Sequence, residues 1–435
     1  MDLKSEILSQ AEASPVVDTG VDEWREVIQT RFPDFLPAAE ASVSVIAQLL
    51  LPDVHNPFAL ILLDEPSSGK TITINFFKGL KDTTEYCDDF TPASFVSHIA
   101  GRSQEQLEKI DLLPRVKGKM LMVPEMGTFL SESEDELRKR MGMMTRILDG
   151  EGYESNSGVY GKRGYSGDYL FMMLGASTPF PLRVWKCMSQ FGHRLFFFNM
   201  NIANVSAETL ISQIGNGANF KAKEKMCRVA TEDFVKSLWR KYKGNLKWDV
   251  KKDDMEVLEL IANIAIFLAR FRGEIIVYQE RDESGVSISH TKPQIEKPMR
   301  INQCFYNLAR GHALACGRNF VNKDDMPLLF RVAFSSAPTP RPDTLRELIR
   351  HTGAITAREI METISVSRNT AKKEMAKLET LGICRVEKEA GASYDDLGQA
   401  VSAVEAEYKG TQKWTAYLKK EFEWLMEDKW MNLYE

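Results

Sequence analysis

Ala59-Leu60-Ile61-Leu62-Leu63-Asp64-Glu65-Pro66-Ser67-Ser68-Gly69-Lys70-Thr71 is the stretch on which the fold turns. Five consecutive apolar residues bounded by a turn-forming run read as a buried strand, and the TITINFFKGL that continues from Thr71 reads as a helix. A strand, a short Gly-containing loop and a helix form the context a phosphate-binding loop needs. In such a loop the backbone N–H groups of Ser67-Ser68-Gly69 and beyond, which follow Pro66, wrap a phosphate. Lys70 carries a mobile positive charge to the β- and γ-phosphates, and the Thr71 hydroxyl can ligate Mg²⁺. A chance Ser-Gly-Lys-Thr on a surface turn is the alternative reading. Asp64 stands where a glycine usually opens such a loop; aspartate tolerates left-handed backbone better than most residues, so the loop is expected to survive with modest strain.

Outward from this stretch, apolar runs alternate with helical segments. Met120–Val123, Tyr169–Leu174, Leu195–Met200 and a weaker run near Glu85–Phe90 add four candidate strands to Ala59–Leu63. The alternation predicts an α/β fold with a five-stranded parallel sheet. Helical spacing precedes it from Val21 to Leu51, and residues 1 to 20 read as a loosely ordered arm. Residues 206 to 275 and 299 to 335 read as a helical lid, interrupted from Ile275 to Ser289 by a hairpin-like alternation. Pro338, Pro340 and Pro342 mark a linker. The expected organisation is an arm and helix over 1–40, a nucleotide-binding core over 41–205, a lid over 206–337, a further domain over 338–390 and a helical tail over 391–435.

The composition of the 435 residues suits a folded multi-domain chain: 43% hydrophobic, 27% charged, net charge −5. Runs such as Leu195–Phe198 fall far short of the roughly 20 apolar residues that cross a bilayer, and the opening MDLKSEILSQ lacks the basic-then-apolar order of a signal peptide. No membrane association and a cytoplasmic setting are expected. Six scattered cysteines without any CxxC argue against structural zinc and a disulfide framework. With an acidic net charge, nucleic-acid contact has to come from local basic patches.

Pro66, Gly69, Lys70 and Thr71 sit as in the GxPGxGKT loop of AAA+ ATPases, which the chain resembles over about residues 40 to 390 in motif order. Gly118-Lys119-Met120-Leu121-Met122-Val123-Pro124-Glu125 looks like a Walker B strand with Pro124 in place of its aspartate. The resemblance implies ATP and Mg²⁺ as cofactors, with Glu125 polarising the attacking water. Ser177 or Thr178, in Gly175-Ala176-Ser177-Thr178-Pro179, takes the sensor 1 position; an ordinary strand-end turn is the other reading. Phe191-Gly192-His193-Arg194 is similar to the family's segment before its fifth strand, which makes Arg194 the arginine-finger candidate and Arg183 its reserve. Pro298-Met299-Arg300-Ile301-Asn302-Gln303 and Leu308-Ala309-Arg310-Gly311-His312 resemble the sensor 2 helix of minichromosome-maintenance helicases, so Arg300 or Arg310 is expected to touch nucleotide.

Two segments point to DNA. Glycines at 150, 152, 158, 161, 164 and 167, interleaved with Tyr153, Tyr160 and Tyr165, predict a hairpin or mobile loop. Its place resembles the pre-sensor hairpin of superfamily-three and minichromosome-maintenance helicases, with Lys162 and Arg163 as the residues that would ride a phosphate backbone. Leu345–His351, Ala357–Thr363 and Ser367–Leu378 read as three helices, with Ile383–Val386 starting a wing, and the spacing resembles MarR-like winged helices. Ser367 would cap the third helix and leave Arg368, Asn369, Lys372 and Lys373 pointing outward. Residues 345 to 388 hold nine Lys and Arg against six Glu. Protein docking is the alternative use of such a module. Trp414, Tyr417, Leu418, Phe422 and Leu425 predict an amphipathic helix in the tail.

The resemblance implies a ring-forming ATP-driven DNA helicase or translocase, similar to helicase-like ATPases of plasmids and phages. The alternative is a nucleotide-switched DNA-binding regulator or loader with slow hydrolysis, which Pro124 favours. No primase or nuclease signature is present, so such activities are expected from partner subunits.

Overall fold

The computed structural model describes residues 19–427 apart from 98, 100, 131–132, 158–160, 201–206, 215–216, 283–284 and 390–412. Helices Val21–Arg31 and Leu36–Ala47 lead into the sheet. Trp24 and Ile28, one turn apart, are buried against helix Gly217–Tyr242, where the Trp24 indole donates to Thr231 Oγ1 at 3.0 Å. The second helix is buried from Ala41 to Ala47 and lies along helix Met299–Ala315. The approach is close enough that a Cβ on Gly311 would come within 2.0 Å of the Ser44 carbonyl oxygen. The helix runs across residue 40 without a break, so this segment is part of the core.

The strands are β1 Ala59–Leu63, β2 Thr84–Tyr86, β3 Met120–Val123, β4 Gly152–Ser157, β5 Gly161–Ser166, β6 Met172–Ser177 and β7 Leu195–Asn199. Five of them form one parallel sheet in the order β2-β3-β6-β1-β7. Leu60 and Leu62 enter one apolar cluster while Ala59, Ile61 and Leu63 enter the other, so β1 is buried on both faces. Double burial is why β1 reads as an unbroken apolar run rather than an alternating one. The chain leaves β1, crosses to the far edge at β2 and returns through β3 to β6. The carboxyl end of β1 therefore lies where strand order reverses, the place at which open α/β sheets bind ligands. β7 is an edge strand, and helix Met326–Ser335 covers it: Phe197 N–H donates to Ser336 Oγ at 3.0 Å and Asn199 N–H to Ser335 Oγ at 2.9 Å.

β4 and β5 pair antiparallel as the expected hairpin, and its tip, which holds Tyr160, lies outside the described residues. The region expected as a lid consists of helices Gly217–Tyr242, Met255–Phe271, Met299–Ala315 and Met326–Ser335, with a second hairpin of β8 Val277–Asp282 and β9 Gly285–His290. No helix among the described residues is long and apolar enough to cross a membrane.

Helices Arg341–Arg350, Ala357–Thr363 and Arg368–Thr380 carry a three-stranded sheet of β10 Ala354–Thr356, β11 Cys384–Glu389 and β12 Lys413–Leu418, ordered β10-β12-β11. β12 corrects the expectation of a helical tail. Trp414, Ala416 and Leu418 are buried and alternate with outward Lys413, Thr415 and Tyr417, and a 3-10 helix over Lys420–Met426 follows. The tail's strand is thus the central strand of the winged module, pairing with β10 and β11 on either side. The proline-marked linker is a tight buried turn: Ala337 and Arg341 are almost fully enclosed, and Arg341 donates to Phe271 O at 2.6 Å and Gly273 O at 2.8 Å. Arg270 donates to Gly382 O at 3.2 Å and pairs with Glu421 at 2.7 Å, so the module is docked on the lid.

Candidate functional site

Lys70 follows β1 through the loop Asp64–Gly69. Its ammonium donates to Asp64 O at 2.8 Å, Glu65 O at 2.6 Å and Ser68 Oγ at 3.2 Å, which folds the side chain back along the loop. Burial pushes this lysine below its ordinary range, opposed by the carboxylates of Asp64, Glu125 and Glu65. The positive φ angles fall on Ser67 (67°) and Gly69 (90°) and not on Asp64. The strain expected at Asp64 is thereby relocated to Ser67, where a non-glycine residue in left-handed backbone costs roughly 1–2 kcal/mol. Thr71 is exposed on the first turn of helix Lys70–Asn75.

Gly69 is required twice. Its φ is left-handed, and a Cβ there would lie 2.1 Å from the Phe35 ring, which is stacked on Phe32. Gly69→Ala is expected to lower unfolding stability by roughly 2–4 kcal/mol, the sum of the backbone cost and overpacking. Urea unfolding checks this, and Phe35→Ala in the same background should recover the packing part. An unchanged midpoint in Gly69→Ala would refute the loop geometry.

Glu125 lies two residues past the end of β3 and Ser177 ends β6, so both join the loop at the carboxyl edge of the sheet. Glu125 is exposed and accepts from Gly127 N–H at 2.8 Å. Ser177 pairs in register with Leu63 and is 1% exposed, and its hydroxyl has no hydrogen-bond partner among the described residues. A buried orphan hydroxyl is costly unless a ligand or water satisfies it. Thr178, next along, is half-buried. Arg331, which sequence reasoning missed, reaches this edge from the lid, donating to Met200 O at 2.8 Å and Asn199 O at 3.2 Å above the Phe198 ring. Its proximity to β7 is a long-range contact with no local sequence signal.

The other arginines gather at the opposite edge. Arg194 precedes β7, whose first residue pairs with Ala59 at the start of β1. Arg194 Nε donates to Asp149 Oδ1 at 3.0 Å, Arg300 donates to the same oxygen at 2.9 Å and to Leu148 O at 2.6 Å, and Arg146 pairs with Asp149 Oδ2 at 3.3 Å. Burial, then the neighbouring Arg194, holds the Arg300 guanidinium below its ordinary range. Arg310 is buried in a pair with Asp53 at 2.8 Å and with Asn307 at 2.6 Å. Asp53 lies ahead of β1, so Arg310, like Arg194 and Arg300, is held by residues on the amino-terminal side of the strands, whereas Lys70 follows the carboxyl end of β1. The structure brings Lys70, Glu125 and Ser177 to one edge and does not bring Arg194, Arg300 or Arg310 to it. Arg183 lies on the exposed start of helix Leu182–Phe191.

On the β4–β5 hairpin Lys162 is exposed and pairs with Glu154 at 2.9 Å, whereas Arg163 is half-buried. Tyr165 anchors the hairpin by donating to Asp111 Oδ2 at 2.8 Å.

In the winged module the Ser367 hydroxyl accepts from Thr370 N–H at 3.1 Å, capping the third helix as expected. Arg368 and Asn369 are exposed and Lys372 and Lys373 half-buried. Lys372 and Lys388 both stand over the Trp414 ring, at 5.1 and 4.5 Å. Lys388 and Trp414 are additions that sequence reasoning missed, because the helical spacing expected around Trp414 gives way to strand β12. The tip between β11 and β12 lies outside the described residues.

No curated protein matches the chain. Residues 342–394 match the HTH domain family, and they span the three helices and β11 just described. The chain therefore carries a winged helix-turn-helix domain, a DNA-binding module, docked against the lid of an α/β core.

Proposed function

We propose that the chain is an ATP-driven DNA helicase or translocase of the AAA+ type, working as a ring of identical subunits. The observation that carries this reading is the convergence of Lys70, Glu125 and Ser177 on the carboxyl ends of three neighbouring parallel strands at the point where strand order reverses. The orphan Ser177 hydroxyl and the left-handed loop fit a phosphate ligand. Lys70 and the loop N–H groups would hold the β- and γ-phosphates and Thr71 the magnesium ion. Bound ATP supplies the phosphoryl group that is transferred to water. Glu125 accepts the water's proton, and Ser177 orients the water. Arg194 and Arg300, too far from their own loop, would serve a neighbouring subunit, with Asp149 fixing both guanidinium groups.

A second reading, a nucleotide-switched regulator or loader, is favoured by Pro124, which leaves the metal without its usual second carboxylate. ATP turnover with and without single-stranded DNA separates the two. Stimulation supports the motor; slow turnover indifferent to DNA supports the switch. Arg194→Ala and Lys70→Ala should each be inactive alone. Mixed in equal amounts they should regain activity at about a quarter of interfaces, those joining an intact Lys70 to an intact Arg194. Co-assembled mixtures that stay inactive would place Arg194 outside the trans role.

A further inference from the structure

A cavity of about 680 Å³ opens between the first helix and the lid, lined among others by Arg25, Glu40, His312, Cys316, Arg318 and Arg331. We propose that Cys316 in this cavity is a nucleophilic thiolate that reacts with hydroperoxides, activated by a His312–Asp325 pair. The inference is independent of the phosphate-site reading.

His312 and Cys316 are one turn apart at the end of helix Met299–Ala315, and therefore share a face. Asp325 is fully buried and accepts from Arg318 at 2.7 and 3.0 Å and from Asn322 N–H at 2.9 Å, which fixes its carboxylate. His312 Nδ1 lies 2.6 Å from Asp325 Oδ1, so Nδ1 carries the proton donated to the carboxylate and Nε2 faces the Cys316 sulfur at 3.8 Å. Arg25, which also pairs with Glu40 at 2.5 Å and Asp22 at 3.7 Å, donates to the same sulfur at 3.5 Å. A nucleophile, a base and a group that orients the base thus stand in line, open to a cavity.

The electrostatics agree. Burial pushes the Cys316 thiol up, but His312, Arg25 and Arg318 outweigh it and hold it below the ordinary thiol range. The imidazole is disfavoured by burial yet raised to about 9 by Asp325 and Cys316. Every other thiol is shifted the opposite way: Cys87 and Cys187 upward, Cys227 and Cys304 to about 11 and Cys384 to about 12, in each case chiefly by burial. Asp324, also at the cavity, acts on Arg318 rather than on the sulfur.

In the step itself the thiolate sulfur attacks one peroxide oxygen and the O–O bond breaks. The sulfur loses two electrons and the peroxide gains them; the departing oxygen takes the His312 Nε2 proton and leaves as water or an alcohol. The product is a cysteine sulfenic acid.

The test treats the full chain with iodoacetamide from pH 5 to 9 and measures alkylation of each cysteine by mass spectrometry. At pH 7 Cys316 is expected to react at least about fivefold faster than the half-exposed Cys87, with its half-maximal pH below that of free cysteine. Hydrogen peroxide followed by dimedone should label Cys316 ahead of the other cysteines. His312→Asn should remove the advantage, and Arg25→Met, which leaves the His312–Asp325 pair in place, should reduce it if the first variant does not fold. Equal rates at Cys316 and Cys87, or an advantage that survives both substitutions, would overturn the proposal.

Discussion

Lys70→Ala is expected to weaken ATP binding roughly a hundredfold or more, about 3 kcal/mol, the value of a charge-assisted contact to the β- and γ-phosphates in a half-closed loop. The fold should persist. In the protein alone the ammonium donates to two carbonyl oxygens and one hydroxyl of its own loop, and Asp64 and Glu65 lie near enough to solvent for water to replace it. Titration of a fluorescent ATP analogue measures the loss, and a melting curve in the absence of nucleotide separates it from unfolding. Near-normal affinity in a folded variant would remove the phosphate-site reading and leave a DNA-binding protein with an unassigned α/β core.

The second large effect is expected at the third helix of the winged module. Replacing Arg368, Lys372 and Lys373 together by Glu should weaken duplex DNA binding about a hundredfold at physiological salt and lower the salt slope by roughly one unit for each phosphate no longer neutralised. The three residues lie within two turns, capped by Ser367, so they can follow one run of phosphates. Lys372 also stands over Trp414, and a carboxylate there would face the electron-rich ring, so Arg368→Glu with Lys373→Glu provides a control that spares the wing. ATP affinity at Lys70 should not change. Unaltered duplex affinity and slope in both variants would mean that the module docks protein, or that the core carries all DNA contact. A loss restricted to one sequence would point to base reading, with Asn369 tested first against adenine.

How the two halves would communicate follows from the docking of the module. Arg341 is buried against carbonyls of the lid, and Phe267 of the lid contacts Phe422 of the 3-10 helix at 5.8 Å between ring centroids. A lid movement would therefore carry the DNA-binding helix with it, which a flexible proline linker would not do.

Local sequence was enough for elements whose cause is local. The strand Ala59–Leu63, the turn at Gly69, the hairpin around Gly161 and the Ser367 cap each depend on residues within a few positions of one another, and each is found where the pattern placed it. Lys413–Leu418 marks the limit. Trp414, Tyr417 and Leu418 satisfy helical spacing while Trp414, Ala416 and Leu418 satisfy strand spacing, and six residues are too few for the period to decide. Pairing with β10 and β11 decided it, because a strand between two partners has its backbone groups paired on both sides, here over residues 415–417.

The sequence by itself determined which residues follow a buried strand into a glycine loop and which basic residues share a helix, since chain geometry over one or two turns admits few alternatives. Only the tertiary structure decided the order β2-β3-β6-β1-β7, the gathering of Arg194 and Arg300 on Asp149, and the meeting of Arg25 with Cys316. It also decided that Ser67 rather than Asp64 takes the left-handed turn. These are contacts between segments tens to hundreds of residues apart, or choices imposed by a neighbour such as Phe35 over Gly69. They are set by shape and burial in the packed core, and a single sequence has no period that records them.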